Sequence, residues 1–197
     1  MSEDNKSAGA EGAAGVEGAD AREANFNLWL LTLMARHATP PDFYSIDTEM
    51  GWTIGLARFE DAENAGLFTY YSIGLSDYRN GETSRELVLQ IKAKDDGWAE
   101  AMLECLVAAQ HSVDFQAGSL YKHHGAVAEG TELSAWVVGL ADAERSIEAD
   151  GKAFSFHSLT PLHDAELELI AAVGLQKFLA AVGGDAPNAN RESLAKK

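Results

Sequence analysis

Between residues 26 and 182 the spacing of apolar positions changes period several times. Phe26, Trp29, Leu30, Leu33 and Met34 recur at helical spacing, which predicts a helix over 26–37 that ends before Pro40-Pro41. Four strand-like segments follow. Residues 43–48 alternate around Tyr44 and Ile46, and 52–59 around Trp52, Ile54 and Leu56. Residues 67–75 are aromatic and β-branched, and 85–92 alternate through Leu87, Leu89 and Ile91. Polar breaks at 61–66 and at Asn80-Gly81 separate them, the second suited to a tight turn between antiparallel strands. Helical spacing returns over 97–111, with Trp98, Met102, Cys105, Leu106 and Ala109 on one side. After Gly118, Gly125 and Gly130, residues 134–140 and 153–159 read as strands. The longest periodic segment is 163–182, through Leu167, Ile170, Val173, Leu175, Phe178 and Leu179, and Gly183-Gly184 stops it. This order predicts an α/β (α+β) sandwich, with a mixed, largely antiparallel central sheet packed between helices.

The two ends differ from this pattern. Residues 1–24 are Gly, Ala and acid, with Val16 their one aliphatic residue larger than Ala, so they bury too little surface to offset ordering entropy. They are expected to form a flexible acidic tail, and 184–197 a second flexible tail, which leaves 25–183 as the folded domain. The ends carry −4 and +1, so −13 of the total charge of −16 belongs to 25–183. Such a surface repels phosphate backbones and anionic membranes and favours a basic partner. Met1-Ser2-Glu3-Asp4-Asn5 has no basic region followed by an apolar stretch, and the longest apolar run, 28–35, is too short to span a bilayer. A cytoplasmic location is expected.

Reactive motifs are sparse. There is no Gly-x-Ser-x-Gly elbow, phosphate loop or His-Glu-x-x-His. Ser72 and Ser76 flank Gly74 at the wrong spacing for an elbow. The single cysteine, Cys105, falls on the apolar side of its helix and reads as a buried small hydrophobe. Adjacent His123 and His124 would point to opposite faces of an extended segment. His163 and Glu166 are three apart on a helix and could reach one ion, but a helix-start role is simpler. The acid pairs Asp95-Asp96 and Asp61/Glu63 lie in turn-like, polar context. Trp52, Trp98 and Trp136 fit core positions. No catalytic residue, metal or cofactor is expected.

Four stretches in order resemble the Suppressor-of-fused domain family. Tyr70-Tyr71-Ser72-Ile73-Gly74-Leu75-Ser76 is similar to a family strand end, and Arg85-Glu86-Leu87-Val88-Leu89 to a family strand that precedes a helix, opened here by Trp98. Phe115-Gln116-Ala117-Gly118 resembles the family's Phe-x-x-Gly turn. Residues 153–162, followed by Glu166 and Gly174-Leu175, resemble the stretch that leads into its last helix. The resemblance implies an α/β sandwich and structural roles for Gly74, Ser76, Glu86, Gly118, Pro161 and Glu166. Pro161 is expected in the first turn of the last helix, where a missing N–H is harmless. The chain departs from the pattern at His163, where the family prefers Thr as a helix cap, leaving Asp164 or Thr160 to cap. It departs again at Ser119, where the family's groove strand carries an acid.

The resemblance implies binding rather than catalysis. Animal members are two-domain regulators that clamp a peptide as an added strand, whereas stand-alone bacterial members resemble immunity proteins of polymorphic toxin systems. The expected function is capture of a protein or peptide, such as a basic toxin or regulator, by an exposed edge at Ser119, Tyr121, His123 and His124. One alternative is a hydrolase or transferase using His123, His124 or His157 with nearby acids. Another is a structural or oligomerising module.

Overall fold

The computed structural model describes residues 29–47, 53–75, 85–93, 97–109, 115–149, 152–185 and 187–196. Ser76, Trp52, Asn80-Gly81, Asp95-Asp96 and the expected tail 1–24 lie outside the described residues. The mixed sheet and its flanking helices are those expected. A helix over 29–36 (α1) precedes strands Asp42–Asp47 (β1), Thr53–Glu60 (β2), Leu67–Ile73 (β3) and Arg85–Lys92 (β4). Helix Gly97–Ala109 (α2) leads to Leu120–Lys122 (β5), Ala135–Ala149 (β6) and Lys152–Leu162 (β7). Helices Asp164–Val173 (α3) and Leu175–Val182 (α4) follow, then short 3₁₀ turns at Gly183–Asp185 and Leu194–Lys196.

The sheet order is β1-β2-β3-β4-β7-β6-β5. Every neighbouring pair is antiparallel except β4 and β7, which run parallel over four residue pairs, from Arg85↔Ser155 to Val88↔Ser158. The period-two pattern explains the layering, since alternate side chains leave opposite faces. One face presents Ile54, Leu56, Tyr70, Leu87, Leu89, Ile91, Trp136 and Val138 to Trp98, Met102 and Leu106 of α2. Trp98 and Trp136 meet edge to face, with ring centroids 5.8 Å apart. On the other face α1 sets Trp29 and Leu33 against Ala57, Phe59, Tyr71, Val88 and Phe156. Beside it, α3 and α4 lay Ile170, Phe178 and Val182 on Ala135, Val137 and Leu162. An eight-residue helix such as α4 is unstable alone. Burial of Phe178 and Val182, at about 1.5–3 kcal/mol each, holds it in place.

Three expectations are corrected. The periodic segment 163–182 is two helices, not one. Gly174, at φ 87°, donates its N–H to the Ile170 carbonyl (2.8 Å), while its own carbonyl accepts the Phe178 N–H (3.1 Å). One non-helical glycine redirects the chain without upsetting the count of apolar positions. Pro161 lies in β7, opposite Trp136, three residues before α3 begins. The β4 ladder has already ended at Ser158, so proline's missing N–H leaves no ladder bond unmade there.

The third correction concerns 184–197, whose described part packs into the domain. Lys92 N–H donates to the Pro187 carbonyl and the Lys92 carbonyl accepts from Ala189 N–H (3.3 Å). Ala189, Arg191 and Ser193 are all buried. The Arg191 guanidinium forks onto Glu166, Nη1 to Oε1 at 2.7 Å and Nη2 to Oε2 at 2.5 Å, and Nη2 also donates to the Pro161 carbonyl (3.0 Å). The carboxylate further accepts the Leu194 N–H (2.9 Å) and the His163 N–H (3.0 Å). His163 is therefore the N-cap of α3, with its ring Nε2–H given to the Arg191 carbonyl (2.9 Å). Neither Asp164 nor Thr160 holds that position.

Burial by itself would raise the Glu166 pKa. The bonds from Arg191, Leu194 and His163, with the arginine charge, outweigh it and hold the carboxyl below its ordinary 4.5. The pair therefore stabilises the fold fully above about pH 4.5, and that stabilisation is lost as pH falls through the lower folded pKa. Glu166→Gln or Arg191→Met, each leaving one partner buried alone, is expected to lower unfolding free energy by about 3–5 kcal/mol at pH 7. The gap between wild type and Glu166→Gln should close as denaturant melts are repeated at lower pH. A loss under ~1 kcal/mol would show the segment to be peripheral.

Candidate functional site

The sheet edge at β5 is built by the turn before it. Phe115 adopts φ 39° and Gly118 φ 93°, and the turn closes with the Ser119 N–H on the Gln116 carbonyl (2.9 Å). Gly118 N–H donates to the Val138 carbonyl (2.7 Å), and Val138 N–H returns to the Ser119 carbonyl (2.9 Å). These two bonds set the register that continues as Leu120↔Val137, Tyr121↔Trp136 and Lys122↔Ala135. Glycine is required at 118 because few side chains tolerate that φ.

The expected partner-binding residues line this edge in different ways. Ser119 is half-buried at its start. Leu120 is 41% exposed, Tyr121 stacks on Phe115 with centroids 5.7 Å apart, and exposed Lys122 pairs with Asp164 at 2.8 Å. His123 ends the strand by giving its N–H to the Ser134 carbonyl (2.8 Å), and its ring Nε2 lies 3.8 Å from Glu104 Oε2. His124, the next residue, is exposed. Exposed Glu104 and Asp164 lie beside this edge, next to His123 and Lys122, and exposed Glu129 and Glu132 belong to the loop that follows it. The β5–β6 loop is tied down at Thr131, whose hydroxyl donates to the Ala189 carbonyl (2.6 Å).

The remaining motif residues sit elsewhere and act on the fold. Gly74, at φ 88°, ends β3 where a Cβ would stand 3.2 Å from the Thr53 carbonyl oxygen. Glu86 is buried at the start of β4 and accepts the Ser72 hydroxyl, whose oxygen in turn accepts the Leu87 N–H (2.7 Å). Ser72 thus relays between a buried carboxylate and the backbone. Both Glu166 oxygens and the His163 Nε2 are engaged with Arg191, so these two side chains are committed to the fold. Arg191 itself had no signal in the sequence, where it stands among Asn, Ala and Ser.

Groups considered for acid–base chemistry are occupied otherwise. Asp61 Oδ1 accepts the N–H groups of Glu63 (2.9 Å) and Asn64 (2.8 Å), which hold its carboxyl below the ordinary range. Burial pushes the Cys105 thiol up to about 12, so it stays protonated among apolar neighbours. Open clefts of about 560 Å³ (Glu132, His163, Asn190, Arg191) and 730 Å³ (Asn64, Lys92, Asn188, Asn190) are lined by none of His123, His124 and His157. No described helix is long and apolar enough to cross a membrane.

His157 is buried on β7, with Nδ1–H donated to the Gly139 carbonyl (3.2 Å) and Nε2 3.5 Å from Ser155 Oγ. Burial lowers its pKa; the Gly139 bond opposes this and the Arg85 charge adds to it. The ring is therefore harder to protonate folded than unfolded, so stability falls as pH drops below about 6.5. Thermal melts between pH 8 and 5 are expected to show a steeper decline for wild type than for His157→Gln. Parallel curves would remove His157 as the cause.

The sequence profile of the family described as "Suppressor of fused protein (SUFU)" matches residues 27–189. No curated protein sequence matches the chain. Among solved structures, a putative SUFU homologue from Neisseria gonorrhoeae superposes with TM-score 0.63 at 15% identity, over 85% of this chain and 96% of that one. A chain of a Sufu–Fu complex gives TM-score 0.63 at 15% identity, over 87% and 92%. Drosophila Suppressor of Fused gives 0.61 at 16% identity, over 88% of this chain but 50% of that one. These likenesses are of fold, and they agree with the mixed sheet and its helices. With 163 of 197 residues inside the matched range, the chain belongs to the Suppressor of fused family.

Proposed function

We propose that this chain is a non-catalytic protein-binding domain that captures an extended segment of a basic partner along β5, acting in the cytoplasm as an immunity or regulatory protein that blocks that partner. The observation that carries the reading is the β5 edge itself. Its backbone lies on the rim of the sheet, Leu120 stands exposed at its start, and the carboxylates of Asp164 and Glu104 lie beside Lys122 and His123. A protein partner is in keeping with the structural neighbour solved as a Sufu–Fu complex. The −16 chain would steer a basic partner in and repel nucleic acid. A toxin gene beside this one would name the partner.

The expected outcome is co-purification of a basic protein that is lost as salt rises towards about 0.5 M. Leu120→Asp should weaken retention roughly tenfold or more, equivalent to about 1.4 kcal/mol. Its melting temperature should stay close to wild type, because Leu120 is an exposed edge residue outside the core. Retention unchanged by Leu120→Asp would move the binding face away from β5. Turnover of a small metabolite, abolished by replacing one histidine, would replace the proposal with catalysis.

A further inference from the structure

The opposite rim of the sheet has a different character. β1 pairs with β2 through six consecutive residues without a bulge, from Asp42↔Arg58 to Asp47↔Thr53. β1 stands at the end of the sheet order, with β2 as its strand neighbour among the described residues. An antiparallel edge strand turns alternate N–H and C=O groups outward, and such a row is a template for another strand. The length of an edge strand sets how many backbone groups it can offer, and an internal lysine or proline interrupts the row. β5 is three residues long and offers a short row beside its side chains. β1 is twice that length, and Asp-Phe-Tyr-Ser-Ile-Asp contains neither lysine nor proline.

Side chains on β1 say what would fit. Phe43 is 53% exposed on one face of the sheet, while Tyr44 and Ile46 pack partly into the α2 side of the core. A strand added here would set its own side chains alternately beside Phe43 and Ser45 and beside Tyr44 and Ile46. Both ends of β1 are acidic. Asp42 pairs with Arg58, and Asp47 accepts only the Thr53 hydroxyl (2.7 Å) among its described contacts. Glu60, Asp61 and Glu63 follow at the Asp42 end of the hairpin. A second copy fits poorly: antiparallel self-pairing in full register would place Asp42 against Asp47 at both ends, between two chains of −16. Like charges directly opposite are destabilising.

We infer that β1 is a second docking edge, which takes an extended segment of another protein as an eighth strand, with an apolar centre and cations at its ends. This goes beyond the β5 reading, since it uses the opposite rim and different residues. The probe is a capped seven-residue peptide with lysine at both ends and alternating threonine, valine and phenylalanine between. Amide NMR of the full chain should show saturable shifts centred on 42–47. A glutamate-ended analogue should bind roughly tenfold weaker or worse, and N-methylation of alternate peptide amides should abolish binding.

Phe43→Lys and Asp47→Lys, two exposed substitutions, should each weaken the lysine peptide roughly tenfold, whereas Leu120→Asp should leave it unchanged. Loss with Leu120→Asp, shifts centred on β5, or equal binding of the N-methylated peptide would overturn the inference. So would a dimer in sedimentation equilibrium that Phe43→Lys dissolves. Because the β5 and β1 variants are read separately, either proposal can fail without the other.

Discussion

Within the sheet, four parallel residue pairs between β4 and β7 join two antiparallel units, the β1–β4 meander and the β5–β6–β7 ladder. Everything else is arranged around that short seam. Above Ser158 the two strands are no longer paired, and the gap is closed by residues from the far end of the chain. Pro187 and Ala189 bond to Lys92 on one side, and Arg191 reaches the Pro161 carbonyl on the other. Glu166, at the third position of α3, anchors that arginine. A buried charge pair of this kind offers little net stabilisation over an apolar substitute, but its fork geometry admits one arrangement of the three segments it joins. The contribution is specificity of closure.

With the seam closed, chemistry-bearing groups are mostly absorbed into structure. Glu86, Glu166, His157, His163 and Cys105 are all buried with structural neighbours. What remains outward is a surface with excess carboxylates and a sheet with two dissimilar rims. One is short, begins from a glycine turn and is bordered by histidines. The other is longer, regular and flanked by acids. On the proposed function, such rims would offer backbone first and charge second to an extended segment.

Much of this was legible in the sequence wherever local spacing decided the outcome. Alternation through Leu87, Leu89 and Ile91 found β4 because one face of that strand is wholly buried. The period through Trp98, Met102 and Leu106 found α2 for the same reason. The Phe115–Gly118 turn placed the start of β5, although three residues are too few for a periodic signal of their own. Failures occurred where distant residues decide. Nothing near Arg191 announces burial, because its partners are 25 and 30 positions away. Without that partner, 184–197 looked too polar to pack. Pro161 suggested a helix start because its locked φ suits both a first helical turn and an unpaired stretch of strand. Gly174 belongs to the family-like stretch but gives no sign of a helix break, because the apolar positions Ile170 and Phe178 stay in phase across it.

The same seam sets an order of events during synthesis. Residues 85–88 need 155–158, so β4 leaves the ribosome with one side unmatched until nearly seventy further residues have been made. At translation speeds of about 5–20 residues per second, that wait lasts roughly 3–14 seconds. During that time Leu87, Val88 and Leu89 lie at the rim of a half-built domain, open to mispairing with other nascent chains. A chaperone that shields this rim, or slow decoding timed after β4, would act on yield without touching the finished protein's stability.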